Sequence, residues 1–600
     1  MGYQVIGLTT AGAWGGSFVG VIEAIAIVAF GATLAEFGLF PFAFWAYGAL
    51  GFVLGLLIAL VRLVFAPGTR ISDRAWTALA AGLVVLPLAL VVARYHVAQR
   101  YFAEQFPSPL SGMGLLVYLA LLLGAILVSV IVAALVFFVA GGSRQAVWRL
   151  PVCWVLAFLA LKAGAAGFTV PQPPPLRLAH GGAGQPNIVL VVVDTLRADA
   201  LGIAGGTSAT PHMDALARDG VWFRNAYAQS SWTRPSIATI LTGQYSPLHG
   251  AVHKFDPLPD EVRTVAEILR DAGYWTAAFV TNINVAPIFN FQQGFGEYHY
   301  LPPAFYFGAS DSATRLSAYK LLRMLRERFL RRRLYYHHYY QDARVVTERV
   351  SQWLAEAPPR PFFLFVHYMD PHDPYFEIPY NGRGIARVVE PSPPPDRAEE
   401  MRRLYAQDVQ YFDGYFGALM EEFRRRELYD DTVFILTADH GEEFYEHGGW
   451  WHGTTLYEEQ IRVPLIVRLP GGRERGIERT DLAQTLDILP TILGQAGVAL
   501  NEALPGRDLF SASAPPEVLY AHESLEGNEL EAVRWQDWKL VVANAENPRG
   551  LPTTALFDLS RDPEEKVNLA DSRPELVREM LGRLERIRPG TGGMVFQSLD

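Results

Sequence analysis

Three apolar stretches of this sequence each end abruptly at side chains that can bind a metal or move a proton. The residues that follow these stretches are Asp194, then Asp370 and His372, and finally Asp439 and His440. Short apolar runs bounded by polar residues predict strands that are buried on both faces of a parallel sheet. Because ligands gather at the carboxyl ends of parallel strands, we expect these side chains to converge at one edge of the sheet.

A hydroxyl group belongs to the same candidate site. The segment SSWTRPSIATILTG, residues 230–243, predicts a turn followed by a short helix. Pro235 suits the first turn, apolar residues recur at helical spacing, and Gly243 can end the helix. Thr233 then lies at the helix N-terminus, where backbone amides and the helix dipole favour a phosphate-like anion.

Asp194, Thr233, Asp439 and His440 offer three oxygens and one imidazole nitrogen to a single divalent cation. A neutral imidazole among the ligands favours Zn²⁺ or Mn²⁺, with Mg²⁺ or Ca²⁺ as alternatives. A bound cation lowers the pKa of a coordinated hydroxyl and so activates it as a nucleophile. These residues therefore predict transfer of a phosphoryl-type group through a covalent intermediate on Thr233.

Two histidines, His372 and His452, are candidate catalytic residues that stabilise charge on the transferred group or protonate the leaving oxygen. Both are also candidate substrate-binding residues, together with Asp370, His249 and Asn282, which follow predicted strands or the Thr233 helix. Each has an ordinary structural alternative, since such residues also cap helices and form turns.

The first 170 residues carry most of the excess apolar content of the chain. Five apolar runs occur there, at roughly 15–38, 41–65, 76–94, 111–140 and 149–169. Each is near or above the ~20 residues that a helix needs to cross a bilayer. The first run lacks a basic leader and more runs follow it, so it is not a cleavable signal peptide. We therefore predict a transmembrane domain of five helices.

The basic residues of the connecting loops indicate an orientation. Arg70 and Arg74 follow the second run, while Arg144 and Arg149 precede the fifth, which marks both loops as cytoplasmic. The prediction is an integral protein of the cytoplasmic membrane with its N-terminus inside and its catalytic domain outside. Glu23 lies within the first run, where a charge marks a functional site, a side chain that snorkels to the membrane interface, or a pair between helices.

Four parts are predicted along the chain. They are a transmembrane domain at 1–170, a Pro- and Gly-rich linker at 171–186, a catalytic domain at 187–504 and a C-terminal subdomain at 505–600. Helices and strands alternate in the catalytic part, which predicts an α/β fold with a mostly parallel central sheet and flanking helices. The basic segment 319–333 is predicted to be helical, lying on anionic headgroups or forming a solvated face.

Composition excludes several classes of function. The net charge of −10 argues against a nucleic-acid partner, because such binding requires a basic surface. Cys153 is the single cysteine of the chain, so neither an internal disulfide nor a cysteine metal site is expected.

The soluble part resembles the sulfatase family of the alkaline phosphatase superfamily. The segments that carry this resemblance are NIVLVVVDTLRAD, TPHMDALARDGVWFRNAYAQSSWTRPSIATILTG, GYWTAAFVTN, FFLFVHYMDPHDPY, TADHGEEF and HGTTLYEEQIRVPLIVRLPG. The later segments AVRWQDWKL and ALFDLSRDPEEKVNLA resemble the smaller terminal subdomain of the family. The resemblance implies an alkaline-phosphatase-like α/β domain with one divalent metal ion.

The sequence also departs from the sulfatase pattern. Thr233 stands where sulfatases convert a Cys or Ser to formylglycine, so no formylglycine is expected. Ile237 and His452 replace basic residues of the family, and VTNIN at 280–284 replaces its Gly-Lys-Trp-His segment. A threonine nucleophile and a histidine twelve residues after the Asp-His pair are instead similar to lipoteichoic acid synthases and phosphoethanolamine transferases. Their layout of five spans and an extracytoplasmic domain also resembles this chain.

The leading hypothesis is a membrane-anchored, metal-dependent transferase that moves a phospho-alcohol group from a lipid through Thr233. Its implied partners are the lipid bilayer, a phospholipid donor and an envelope glycan or lipid acceptor, with no nucleic acid. A second hypothesis is a tethered phosphodiesterase or sulfatase-like hydrolase, because water and an alcohol compete for the same covalent intermediate. A third is a catalytically silent binding protein that keeps the fold.

Overall fold

A computed structural model describes residues 2–29, 37–65, 71–102, 106–140, 148–167, 184–330, 333–499, 503–512 and 514–588. Two compact units divide the chain. The first comprises Met1–Gln172 and Phe305–Leu330, and the second comprises Pro173–Ala304 and Arg331–Asp600. Most of the predicted linker, Arg70 and Arg144 of the predicted cytoplasmic loops, and the last residues of the predicted C-terminal subdomain lie outside the described residues.

The helices are numbered in chain order. They are α1 Gly2–Ala29, α2 Leu39–Phe65, α3 Asp73–Tyr101, α4 Gly112–Val139, α5 Arg149–Gly167, α6 Pro211–Arg218, α7 Thr233–Thr242, α8 Ser246–His249, α9 Val265–Asp271, α10 Ser317–Leu325, α11 Ala343–Ala355, α12 Ala398–Arg425, α13 Glu458–Ile461, α14 Ile488–Ala496 and α15 Pro574–Ile587.

The strands are numbered in the same way. They are β1 Asn187–Val193, β2 Val221–Tyr227, β3 Trp275–Val280, β4 Glu297–Tyr300, β5 Phe362–Tyr368, β6 Tyr375–Phe376, β7 Gly384–Ile385, β8 Thr432–Ala438, β9 Glu443–Phe444, β10 Trp450–Trp451, β11 Arg462–Arg468, β12 Ile477–Gln484, β13 Val518–Leu525, β14 Asn528–Trp535, β15 Trp538–Ala543 and β16 Thr554–Asp558.

Helices α1 to α4 are long and apolar enough to cross a membrane, which suggests membrane anchoring. The fifth predicted span coincides with α5, which has 19 residues, and its role as a span stays a prediction. Helix α1 begins at Gly2, well before the first predicted apolar run. Thr9 and Thr10 lie in this added part, where their hydroxyls donate to backbone carbonyls one turn earlier. Such internal hydrogen bonds let polar residues continue an apolar helix.

Glu23 is fully buried within the first unit, and its carboxylate is hydrogen-bonded on both oxygens. The backbone N–H and hydroxyl of Ser317 donate to Oε1 at 3.0 and 2.7 Å, Nε2 of His96 lies 2.9 Å from the same oxygen, and Tyr47 donates to Oε2. Ser317 begins α10, so the carboxylate complements the positive end of that helix dipole. The pairing interpretation of Glu23 therefore fits these contacts.

The basic segment forms α10, which continues as a single π-helical stretch at Arg326–Leu330. Ala318 and Tyr319 on its apolar face are buried in a cluster that also contains residues of α1 and α2. The helix therefore belongs to the first unit although the sequence on either side of it belongs to the second.

An eight-stranded sheet forms the centre of the second unit, in the order β12-β2-β11-β8-β1-β5-β3-β4. Strand β11 runs antiparallel to both of its neighbours, and the other pairs are parallel. The prediction of an α/β domain with a mostly parallel sheet is confirmed. Alternate residues of β1 face opposite cores: Val189 and Val191 pack in the core that contains α6, α11 and α12, whereas Ile188 and Leu190 pack in the core with α7, α9 and α14.

A smaller antiparallel sheet follows, in the order β13-β14-β15-β16. Helix α15 covers one of its faces, where Met580 and Leu584 are buried against Tyr520 and Leu540. The prediction of a small C-terminal subdomain is confirmed, and the structure shows that it is built on a sheet.

Helices α1 and α2 pack closely because both carry glycines at their contact. A Cβ atom on Gly16 would overlap the carbonyl oxygen of Tyr47, and one on Gly12 would overlap that of Gly51. Small residues of this kind let the backbones of membrane helices approach each other.

We expect Gly16→Leu to destabilise the first unit, because the added side chain must force the two helices apart, which costs on the order of 1–3 kcal/mol. The thermal unfolding midpoint of the purified full-length protein in detergent measures this loss. Gly124→Leu in α4 is the matched control, since a Cβ there meets no atom within 4 Å. Equal midpoints for the two variants would contradict the close packing of α1 and α2.

Candidate metal and nucleophile site

The three strands that end in chemically active residues are neighbours at the centre of the sheet. Strand β1 lies between β8 and β5 and is parallel to both, with Val193 paired to Ala438 on one side and Tyr368 on the other. Asp194 and Asp439 are the residues that follow the ends of β1 and β8. The predicted convergence of the strand ends at one edge of a parallel sheet is therefore confirmed.

Asp194, Thr233, Asp439 and His440 lie together at this edge, and all four are buried. Nε2 of His440 is 3.4 Å from Oδ2 of Asp439 and 3.7 Å from Oδ1 of Asp194. Oγ1 of Thr233 is 3.5 Å from Nε2 of His440 and 3.5 Å from Oδ2 of Asp194. The two aspartates and His440 each offer one ligand atom within 4.8 Å of the others.

The spacing and the unsatisfied atoms of this cluster fit a divalent cation. Ligands at about 2.1 Å from a tetrahedral ion lie about 3.4 Å from one another, close to the separations observed here. Oδ1 of Asp194 and Oδ2 of Asp439 are buried without a hydrogen-bond partner. Burial raises the pKa of each carboxyl to about 7, and Asp439 adds to the rise at Asp194. A cation between them would supply the missing partner of both oxygens.

Helix α7 places the hydroxyl of Thr233 in this cluster, as the first residue of the helix. The helix ends at Gly243, which has φ 65°, so the predicted glycine stop is confirmed. The amide of Asn282 donates to Oδ2 of Asp194 at 2.7 Å and lies 3.4 Å from Oγ1 of Thr233. Asn282, predicted to bind substrate, therefore lies beside the predicted nucleophile.

His452 lies next to the cluster, and His372 lies next to His452. The ring centroid of His452 is 4.5 Å from that of His440 and 5.0 Å from that of His372. Burial lowers the pKa of His452, and the nearby His440 and His372 lower it further. Burial also acts to lower the pKa of His372. The negative charges of Asp194 and neighbouring carboxylates outweigh burial, so the pKa of His372 is raised.

Two other predicted substrate-binding residues make their contacts elsewhere. His249 is fully buried behind α7, with Nε2 3.1 Å from the carbonyl of Pro235 and 3.2 Å from the hydroxyl of Thr239. Asp370 is also buried, and burial together with the nearby Asp342 raises its pKa. These surroundings are those of packed structural residues, and a part in substrate binding stays a prediction for both.

Sequence reasoning missed two residues beside the cluster. His367 on β5 is fully buried, neither of its ring nitrogens has a hydrogen-bond partner, and Nε2 lies 3.6 Å from Oδ2 of Asp194. Glu442 accepts a hydrogen bond from Tyr375 and contacts His452. A histidine inside an apolar strand and a glutamate two residues after the Asp-His pair were the available signals.

A carboxylate from the C-terminal sheet holds the turn that precedes α7. Oε2 of Glu523 on β13 accepts hydrogen bonds from the hydroxyl of Ser230 and from the backbone and hydroxyl of Ser231, at 2.8 to 2.9 Å. Burial raises the pKa of the Glu523 carboxyl to about 7, although the hydrogen bonds from the serines act to lower it. The turn that precedes Thr233 is therefore held by the C-terminal sheet.

A second histidine–carboxylate cluster, Glu443, His447 and Glu459, also has spacing that a metal could use. Glu443 already accepts hydrogen bonds from Arg549, Gln460 and the backbone of Gly449. Nδ1 of His447 lies 2.7 Å from Oε1 of Glu459. These contacts satisfy the cluster without an ion, so it provides matched controls for the first one.

Asp439→Asn is expected to weaken metal binding at least about 10-fold, because an amide nitrogen replaces the unpartnered Oδ2 while Oδ1 keeps its backbone donors. Metal content of the purified protein after dialysis against a weak chelator, measured by mass spectrometry of the elements, tests this. Glu459→Gln is the control and is expected to retain the metal of the wild type. Equal loss in both variants would contradict the assignment.

Glu523→Gln should change how stability depends on pH. The folded protein holds a proton on Glu523 up to about pH 7, whereas the unfolded chain releases it near pH ~4.3. The wild type therefore loses up to about 3 kcal/mol of stability from this group as pH rises through the window, and the glutamine variant lacks this contribution. Unfolding midpoints between pH 5 and pH 8 measure the difference. Parallel curves for the two proteins would contradict it.

Comparison with known proteins agrees with this fold. The family model described as Sulfatase matches residues 186–498, and the model described as N-sulphoglucosamine sulphohydrolase, C-terminal, matches residues 445–589. The ulvan-active sulfatase of Formosa agariphila is 25% identical over 57% of this chain and 68% of its own. The choline-sulfatase of Rhizobium meliloti is 26% identical over 65% of this chain and 83% of its own.

Solved structures show the same fold. The crystal structure of phosphonate monoester hydrolase of Agrobacterium radiobacter superposes with a TM-score of 0.54 and 20% identity, over 67% of this chain and 94% of its own. Metal binding is a property of sulfatase-family enzymes, and the cluster at Asp194, Asp439 and His440 has the residues for it. The chain therefore belongs to the sulfatase family of the alkaline phosphatase superfamily and is a sulfatase-like hydrolase.

Proposed function

We propose that this protein is a membrane-anchored, metal-dependent enzyme that transfers a phospho-alcohol group from a lipid to an envelope acceptor through a covalent intermediate on Thr233. The observation that carries the proposal is the hydroxyl of Thr233, 3.5 Å from both Asp194 and His440 at the start of α7. Thr233 needs no conversion to formylglycine, because its hydroxyl can attack directly once it is activated.

The residues of the site divide the work of such a reaction. Asp194, Thr233, Asp439 and His440 would hold the cation, Mn²⁺ or Zn²⁺ in our proposal, which when bound supplies Lewis-acid activation of the hydroxyl. Asn282 has an amide donor in reach of the same oxygen and would orient the reacting group. His372 and His452 would bind the oxygens of the transferred group and exchange protons with it.

A lipid donor is supported by the apolar helices α1 to α4 in the same chain. Anchoring would place a catalytic domain at a membrane surface, where lipid headgroups are the most concentrated phosphoryl esters. We propose the cytoplasmic membrane, with the N-terminus inside and the catalytic domain outside, from the arginines of the predicted loops.

Release to water is the second candidate function. It is favoured by relatives whose names describe sulfatases and a phosphonate monoester hydrolase. The same intermediate on Thr233 would then be cleaved by water, and the ester could carry sulfur or phosphorus.

Thr233→Ala is expected to abolish turnover and Thr233→Ser to retain part of it, because only the serine variant keeps an oxygen nucleophile. Intact mass of the purified protein after incubation with phosphatidylethanolamine or phosphatidylglycerol vesicles tests the covalent step directly. The wild type should gain a phospho-adduct that maps to Thr233, and the alanine variant should gain none.

The products of the same incubation separate the two functions. A modified glycan or lipid acceptor indicates transfer, whereas a free phosphorylated headgroup indicates hydrolysis. Substantial turnover by Thr233→Ala would contradict both, because both require the same covalent intermediate.

A further inference from the structure

The contacts of Glu442 assign it a place next to the reaction, although it lies outside the proposed cation ligands. Its carboxylate is fully buried and has a different partner on each oxygen. The hydroxyl of Tyr375 donates to Oε2 at 2.5 Å, and Nδ1 of His452 lies 3.0 Å from Oε1.

Tyr375 is itself fixed, so the carboxylate has little freedom to move. Its ring is fully buried and lies parallel to that of Trp451, with centroids 6.1 Å apart. The backbone N–H of Glu442 donates to the carbonyl of Glu459 at 2.9 Å, which holds the loop after β8. Tyr375 and this loop therefore orient Oε1 toward His452.

A carboxylate only accepts hydrogen bonds, so the proton of a neutral His452 belongs on Nδ1 when that atom faces Glu442. The other nitrogen, Nε2, then carries the lone pair. In the described part of the chain Nε2 of His452 has no hydrogen-bond partner, and the ring lies between those of His440 and His372.

We propose that Glu442 is a positioning residue that fixes His452 in its Nδ1-protonated form, so that Nε2 accepts the proton of the alcohol or water that cleaves the intermediate on Thr233. This inference rests on the proposed covalent function of Thr233. The inference assigns separate roles to the two residues: His452 is the base of the second half-reaction, and Glu442 orients His452.

The proton and bond changes of that half-reaction balance. The O–H bond of the acceptor breaks and its proton moves to Nε2 of His452, while the acceptor oxygen forms a bond to phosphorus. The bond between phosphorus and Oγ1 of Thr233 breaks, Oγ1 takes a proton from water, and His452 gives its own proton to water. Free threonine and neutral histidine are restored.

An activated ester separates the two half-reactions. The first half-reaction with bis(para-nitrophenyl) phosphate releases para-nitrophenolate, which leaves without a proton, so it needs no acid, and the proton of Thr233 passes to water. Cleavage of the adduct by water still needs a base. We therefore expect Glu442→Gln in the full-length holoenzyme to keep the initial burst of nitrophenolate and to slow breakdown of the adduct on the order of 10–100-fold. The adduct on Thr233 should accumulate by intact mass.

Glu459→Gln is the matched control, because Glu459 makes the same kind of contact with Nδ1 of His447 outside the site. It should leave the burst and the breakdown of the adduct unchanged. Tyr375→Phe removes the donor to Oε2 and provides a second variant if Glu442→Gln does not fold; we expect slower breakdown there too.

A burst and a breakdown that fall together in Glu442→Gln, or a breakdown that is unchanged, would overturn the role of Glu442. In both cases the wild type still forms its adduct, so the proposed function stands. A wild type that forms no adduct on Thr233 would instead overturn the proposed function and this inference with it.

Discussion

Two buried carboxylates at neighbouring strand ends set the constraint on which the second unit depends. Asp194 and Asp439 each have an oxygen without a hydrogen-bond partner, and desolvation acts against the charge of both. Such an arrangement is costly in an apolar sheet unless a positive charge is shared between them. The central parallel strands hold the two groups at fixed separation, so the fold provides a preorganised place for a cation rather than one assembled by ligand movement.

The elements around this centre arrive from distant parts of the chain. Helix α7 contributes the hydroxyl, β5 contributes His367, and the loop after β8 contributes both His440 and Glu442. The antiparallel C-terminal sheet adds Glu523, which secures the turn before α7 through three hydrogen bonds. The smaller sheet therefore helps to position the candidate site and is more than an appended module.

The sequence predicted those features that short-range patterns determine. Apolar runs located β1, β5 and β8, and the residues that follow them identified Asp194, Asp439 and His440. Gly243 marked the end of α7 because only a residue that tolerates positive φ fits there. The contacts of Glu523 and His249 could not be predicted from the sequence, because they depend on which helix or sheet packs behind the site. His367 was hidden because a histidine in an apolar strand resembles an ordinary core residue.

In the apolar N-terminal part, too, the sequence did not predict features that depend on specific contacts. Hydropathy located the apolar helices, but the start of α1 depended on hydroxyls that bond within the helix. Nothing in the pattern of 305–330 indicated that this segment packs with α1 and α2, because its basic residues suggested only a solvated or lipid-facing helix.

Membership of Phe305–Leu330 in the first unit has a practical consequence for anyone who wishes to isolate the catalytic part. A cut at the predicted linker removes α1 to α5 but leaves α10 behind, with Ala318 and Tyr319 stripped of the residues that bury them. The freed fragment would carry an apolar stripe prone to self-association. A soluble version would need two changes: removal of the N-terminal helices, and either a shortened segment at Phe305–Leu330 or polar residues in place of its apolar side chains.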